Sequence, residues 1–298
     1  MFQAHNPAQH TFNWYCDLIG ATENNTATAA VRLRSIVKQI RDGYRHPFGI
    51  KFPYGDQSFQ SGYLIAYFPY YIEPLYHVLN SANLPDNLFA KENLKVSFFG
   101  GGPCPEALGL AAYLRERAPN LRSVDISIFD RENSWDTIQQ GLLPEMLPDY
   151  AAPQTKFSIK NHQCNVVRCS GNKCASSNAI TGSDIVIAQN FLTEVHKNGG
   201  TAIDTFEGII RRSNCRFLVF VENNYPENRD MLNVINRRLF SKGLSTDLAA
   251  ISQKSIRPNI TLPGVLSRHL YTAEDGLRAK KNVTFYYVVI ELKRGYKL

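Results

Sequence analysis

The stretch Leu-Lys-Val-Ser-Phe-Phe-Gly-Gly-Gly-Pro-Cys-Pro-Glu-Ala-Leu-Gly, residues 94–109, decides the fold of this chain. A short apolar run ends in three glycines, and a helical pattern begins directly after them, which predicts a strand, a tight turn and a helix. Three consecutive glycines permit positive φ and a close approach of the backbone to a ligand. Pro105 suits the first helical position and Glu106 the first turn. Open α/β sheets bind nucleotides at such a turn.

Apolar runs alternate with helical patterns from this stretch to the end of the chain. The predicted strands cover residues 94–99, 124–129, 165–168, 184–188, 216–221, 248–252 and 283–292. The predicted helices cover residues 105–117, 135–147, 201–212 and 228–240. This series predicts an α/β, Rossmann-like fold with a mostly parallel sheet and helices on both faces.

The chain is predicted to divide near residue 92. Residues 1–92 form a mainly helical N-terminal segment that serves as a substrate or cap segment, and residues 93–298 form the ligand-binding domain. We expect the N-terminal segment to pack over the ligand edge of the sheet and not to fold alone.

Basic residues are distributed unevenly. The formal net charge is +7, but residues 211–298 hold 16 lysines and arginines against 7 aspartates and glutamates, so the first 210 residues are near −2. Arg34, Lys38 and Arg41 also share one side of a predicted helix that begins at residue 25 or 26. A lopsided basic charge favours a polyanionic partner, RNA above all. The alternative is an ordinary solvated surface.

An aromatic stretch at residues 63–76 is the second candidate for substrate contact. It contains five tyrosines, Tyr67 and Tyr70 among them, and two prolines that interrupt any helix. Such rings can stack on bases. The alternative is core packing, because tyrosine buries its ring and keeps its hydroxyl wet.

Composition narrows the class of protein. The chain has 298 residues, of which 44% are hydrophobic and 20% charged. No run of 18 apolar residues and no signal pattern is present, so we expect a cytoplasmic protein without membrane contact. Cys164, Cys169 and Cys174 are spaced by five, which is not a usual zinc spacing. We therefore expect no metal, with a metal site as the minor alternative.

Taken together, these pieces resemble the class I S-adenosylmethionine-dependent methyltransferases. That family has a glycine-rich turn after strand one, an acid that closes strand two and a last strand that turns back antiparallel. The resemblance implies S-adenosyl-L-methionine as cofactor, with Asp130 on the ribose hydroxyls. The implied cofactor-binding residues are Gly100, Gly101, Gly102, Pro103, Asp130, Arg131 and Gln189. From the residues alone, Asp130 could instead cap a helix.

The sequence departs from this family in two places. Phe98 stands where the family has an acid that positions the methionine amine, and Cys104 replaces the third glycine. Because of these departures, the alternative is a binding or assembly protein that has this fold but no catalytic activity. The runs 99–103 and 130–135 also resemble ribosomal-RNA uridine methyltransferases of the fungal large-subunit type.

Candidate catalytic residues follow the fourth strand. Asn190, Glu194 and His196 lie where the family faces the methyl group, and Glu194 or His196 could act as a general base. Asn190 begins the run Asn-Phe-Leu-Thr, which lacks the Asn/Asp-Pro-Pro-aromatic stretch of exocyclic-amine methyltransferases. The favoured function is an RNA methyltransferase. A small-molecule or protein acceptor is the alternative, and the oligomeric state stays open.

Overall fold

A seven-stranded sheet forms the centre of the protein, in a computed structural model that describes residues 6–45, 52–82, 84–165, 180, 182–195, 199–272 and 277–293. The strands are β1 Asn93–Phe99, β2 Ser123–Asp130, β3 Lys156–Gln163, β4 Ile185–Gln189, β5 Phe217–Asn223, β6 Ser252–Ile256 and β7 Val283–Glu291. Their spatial order is β3-β2-β1-β4-β5-β7-β6. Only β7 runs antiparallel to its neighbours. The predicted Rossmann-like α/β fold with an antiparallel last strand is therefore confirmed.

Helices cover both faces of this sheet. They are α1 Pro7–Leu18, α2 Thr26–Arg45, α3 Gln57–Ala66, α4 Glu73–Ala82, α5 Glu106–Arg117, α6 Asp136–Gln140, α7 Leu142–Tyr150, α8 Leu192–Val195, α9 Gly199–Arg212, α10 Pro226–Ser241 and α11 Gly264–His269. Because helices lie on both sides, the central strands β4 and β5 are buried along almost their whole length. No helix among the described residues is long and apolar enough to cross a membrane.

The N-terminal helices share one hydrophobic core with the sheet. Phe68 and Leu75 belong to the same buried cluster as Leu108 and Ile128. The contact with α5 is close, because a Cβ at Gly109 would lie 2.2 Å from the carbonyl oxygen of Ile72. The core is thus continuous across residue 92, and the division there stays a prediction about the chain.

Two predicted strands were misplaced. β3 occupies Lys156–Gln163, whereas the prediction favoured residues 165–168, of which 166–168 lie outside the described residues. β6 begins at Ser252, where the prediction for 248–252 ends. Both strands lie at sheet edges and alternate exposed with partly buried residues, so neither has the apolar run that marks the central strands.

One predicted helix is broken. The helical pattern at residues 135–147 forms a short 3₁₀ turn and two helices, α6 and α7, that meet at Gly141. A Cβ at Gly141 would lie 2.8 Å from the carbonyl oxygen of Thr137, so no larger side chain fits there without a shift. A glycine at this position lowers helix propensity and accommodates the break.

Candidate functional site

A cavity of about 330 Å³ opens at the carboxyl ends of β1, β2 and β4. The glycine turn at residues 100–102 and Asp130 supply the side nearest the sheet. The N-terminal segment supplies the opposite wall with the rings Tyr44, Tyr54, Tyr63, Tyr67, Phe68 and Tyr71. The cavity therefore exists because the N-terminal segment covers the ligand edge of the sheet.

Two of the three glycines in the turn have a backbone conformation that residues with side chains rarely adopt. Gly100 has φ +62° and Gly102 has φ +48°, in the left-handed region. A Cβ at Gly100 would lie 2.3 Å from the ring of Phe191, and one at Gly101 would lie 2.7 Å from Ile128. The Gly100 N–H donates to the Phe129 carbonyl at 2.8 Å, which ties the turn to β2.

Asp130 connects the end of β2 to this turn. Its Oδ2 accepts a hydrogen bond from the Gly102 N–H at 2.8 Å, and its Oδ1 accepts one from the Glu132 N–H at 2.9 Å. Burial raises the pKa of Asp130, and these two N–H donors offset part of that rise. A carboxylate has about four acceptor positions, so two remain for hydroxyl groups in the cavity.

The end of β4 contributes two polar residues to the cavity. Gln189 donates from Nε2 to the Tyr71 carbonyl at 2.8 Å, while its Oε1 is buried without a hydrogen-bond partner among the described residues. Asn190 has φ +56°, a strained value for a residue with a side chain, although asparagine tolerates it better than most. An unsatisfied buried acceptor beside a strained backbone is typical of a ligand site.

Glu194 is held by two tyrosine hydroxyls in series. The Tyr54 hydroxyl donates to Glu194 Oε1 at 2.8 Å, and the Tyr44 hydroxyl lies 3.0 Å from that of Tyr54. The Glu194 side chain is accessible from the cavity, yet the surrounding rings desolvate it and raise its pKa. A carboxylate with a raised pKa is a better proton acceptor near neutral pH. His196 lies outside the described residues.

The tyrosine wall contains a ladder of nearly parallel rings. Tyr63 stacks on Tyr67 at 5.2 Å between centroids, and Tyr67 stacks on Tyr71 at 6.0 Å. Lys280 places its Nζ 4.7 Å from the centroids of both Tyr67 and Tyr71, and donates to the Tyr71 hydroxyl at 2.8 Å. Burial lowers the pKa of Lys280 to about 7.

The predicted residues fall into two groups. All the implied cofactor residues line the cavity, and so do Tyr67, Asn190 and Glu194. The other predicted substrate residues are not among its lining. Arg34 donates to the His269 carbonyl at 2.6 Å, and Arg41 donates to the Arg278 carbonyl. Tyr70 is buried, and Lys38 is exposed on α2.

Several residues of the site were not predicted to belong to it, Tyr54 and Glu106 among them, and Lys280 lies against the tyrosine wall. Tyr54 precedes the aromatic stretch at residues 63–76, and Lys280 lies outside every motif, so no pattern marked either of them as a site residue. Glu106 was noted only as a first-turn residue of a helix, and the structure places it in the cavity lining at 2% exposure. An acid directly after a glycine turn was the available signal for Glu106.

Comparison with known proteins found similarity to solved structures only. No protein-family profile matches the sequence, and no curated protein matches it. A candidate RNA methyltransferase from Pyrococcus horikoshii is 12% identical, with 73% of this chain and 82% of that chain covered and a TM-score of 0.38. A precorrin-6y C5,15-methyltransferase from Geobacter metallireducens is 12% identical, with 69% and 83% covered and a TM-score of 0.36.

A human methyltransferase 10 domain containing protein is 10% identical, with 73% of this chain and 82% of that chain covered and a TM-score of 0.37. The glycine turn after β1, the acid that ends β2 and the antiparallel β7 are the features that the resemblance implied. The predicted resemblance is confirmed at the level of fold.

Proposed function

We propose that this protein is an S-adenosylmethionine-dependent methyltransferase that acts on RNA. The observation that carries the proposal is the pairing of the left-handed glycine turn with Asp130 in one cavity at the carboxyl edge of the sheet. This is the place where open α/β sheets bind ligands.

The residues present fit the proposed cofactor. Asp130 retains acceptor positions for the two ribose hydroxyls, and the glycine turn lines the same cavity. The buried Oε1 of Gln189 lacks a donor among the described residues, and a donor of the bound ligand would satisfy it. When bound, the cofactor supplies an electrophilic methyl carbon.

Methyl transfer to a nitrogen or an oxygen leaves a proton to be removed, and we assign that task to Glu194. Its carboxylate accepts a hydrogen bond from Tyr54 and is accessible from the cavity. Burial raises its pKa above the ordinary value of a glutamate, which improves proton transfer from an imide or hydroxyl group. Tyr44 and Tyr54 hold the carboxylate in one orientation.

An RNA base is the acceptor that the aromatic wall favours. The cavity wall contains the rings of Tyr63, Tyr67 and Tyr71, and bases stack on accessible aromatic rings with about 1–3 kcal/mol each. The basic excess after residue 210 supplies charge for phosphate contacts. An unstacked base can enter a cavity that a duplex cannot.

A small planar acceptor is the second candidate. Arg34 and Arg41 donate to carbonyl groups of the same chain, which lowers the number of guanidinium groups available for phosphate. A small aromatic molecule would use the same tyrosine ladder without needing that charge.

The test begins with calorimetry of S-adenosylmethionine binding. We expect micromolar affinity for the wild type and a loss of at least tenfold in Asp130→Asn. Asp125→Asn changes a residue on the same strand that is not among the cavity lining and is the matched control. Absence of heat at millimolar ligand would overturn the proposal.

An assay of labelled methyl transfer to bulk RNA then distinguishes an RNA acceptor from a small-molecule acceptor. For an RNA acceptor, we expect the label to be released by ribonuclease and binding to weaken as salt rises. Methylation of a small aromatic molecule that ribonuclease and salt leave unchanged would favour the second candidate.

A further inference from the structure

The methyltransferase family places an acid before the glycine turn to position the methionine amine, and this chain has none there. The equivalent residue, Phe98, is fully buried in the core within β1. A ligand ammonium group in the cavity needs another negative partner, because an unpaired charge in a desolvated site is costly.

Glu106 is placed to be that partner. It is the first residue of α5, comes after the glycine turn with residues 103–105 between them, and lines the cavity together with Gly102 and Pro103. Its side chain is only 2% exposed. Such a carboxyl group is rarely buried without a cation or a network of donors.

The groups that act on Glu106 from its surroundings include no cation. They are its own backbone N–H, the Cys104 thiol and the Asp130 carboxylate. Arg131 and Glu194 are further charged groups in the same cavity lining, and no ion pair joins Glu106 to a lysine, arginine or histidine among the described residues. Glu106 is therefore a buried acid for which the described part of the chain supplies no counter-charge.

We propose that Glu106 binds the amino group of the methionine moiety in place of the acid that Phe98 replaces. This inference rests on the proposed function. The ammonium group of the ligand would supply the missing cation, and the glycine turn between Asp130 and Glu106 would set the span from sugar to amino acid. Glu106 is then a cofactor-binding residue contributed by a helix instead of β1.

The proposal has a consequence for protons. Burial raises the pKa of Glu106 from 4.5 to about 8, so the free protein holds this carboxyl group protonated at pH 7. An ammonium group beside it favours the carboxylate. Binding should therefore release a proton from Glu106 to the buffer.

Calorimetry at pH 7 in phosphate and in Tris measures that proton, because the two buffers differ in ionisation enthalpy. We expect the wild type to release between half a proton and one proton per S-adenosylmethionine bound. The ligand 5′-methylthioadenosine, which lacks the amino acid part, should bind without proton release.

The variant Glu106→Gln keeps the shape of the neutral carboxyl group. We expect this variant to abolish proton release and to weaken the binding of S-adenosylmethionine at least tenfold. Its affinity for 5′-methylthioadenosine should stay within twofold of the wild-type affinity. Glu116→Gln lies on the same helix at an exposed position and is the matched control.

The outcomes separate the two proposals. Equal weakening of both ligands in Glu106→Gln, or proton release that persists in it, would overturn the role of Glu106 and leave the proposed function standing. If neither ligand binds the wild type, the proposed function fails and this inference fails with it.

Discussion

Replacement of Glu222 by glutamine should change how the stability of this protein depends on pH. Glu222, at the end of β5, is fully buried, and its Oε1 accepts hydrogen bonds from the N–H groups of Phe191 and Leu192 at 3.0 and 2.9 Å. It thereby holds the backbone that leads to Glu194. Burial raises the pKa of Glu222 from 4.5 to about 8.

The direction of this pH dependence follows from the difference between the pKa of Glu222 in the folded and in the unfolded protein. An acid whose pKa is raised on folding contributes full stability below its unfolded value of 4.5, and this contribution is lost as pH rises toward 8. A shift from 4.5 to about 8, at 1.36 kcal/mol per pH unit, gives an upper limit of about 5 kcal/mol. Glutamine is neutral throughout and keeps an acceptor oxygen for the two N–H groups.

Urea unfolding of the wild type and Glu222→Gln at pH 5, 7 and 9, followed by circular dichroism, tests this expectation. The free energies of unfolding of the two proteins should be similar at pH 5. At pH 9, the free energy of unfolding of the variant should exceed that of the wild type by several kcal/mol. Other groups that titrate here, Glu106 and Lys280, are present in both proteins and cancel in the difference. A difference that stays constant with pH would refute the reasoning.

Three further perturbations address the cavity and its surroundings. Gly100→Ala places a Cβ 2.3 Å from the ring of Phe191 at φ +62°, so we expect a strain of at least about 1 kcal/mol, a lower melting temperature and weaker cofactor binding by calorimetry. Tyr54→Phe removes a donor that lowers the pKa of Glu194, so the acidic limb of the pH–rate profile should move to higher pH; an unmoved limb would exclude Glu194 as the base. Lys38→Gln should reduce the salt dependence of RNA binding by about one unit of log–log slope, and an unchanged slope would place the RNA away from α2.

The central part of the fold was predictable because its physics is local. β1, β4 and β5 are short apolar runs, as strands covered on both faces must be, and a glycine turn after an apolar run marks the ligand edge. The positions of the edge strands β3 and β6 were not predicted correctly. About half of their side chains are exposed to solvent, so their composition is similar to that of loops.

The site was predictable only where its residues follow strands. Asp130, Gln189 and Asn190 each come at or directly after a strand end, so topology alone brings them together. Tyr54 reaches the cavity, and Lys280 reaches Tyr71 in its wall, through tertiary packing across more than a hundred residues, which no local pattern encodes. The roles of Arg34 and Arg41 also depended on packing, because the carbonyls that they contact lie more than 230 positions away.

The shared core of α4 and α5 has a consequence for biosynthesis. Residues 52–82 leave the ribosome before any strand has been made, and the surfaces that bury rings such as Phe68 and Tyr71 come later in the chain. A nascent chain arrested before residue 94 should therefore expose these rings, remain sensitive to protease and recruit chaperones. Protection should appear only once the segment through β5 has emerged.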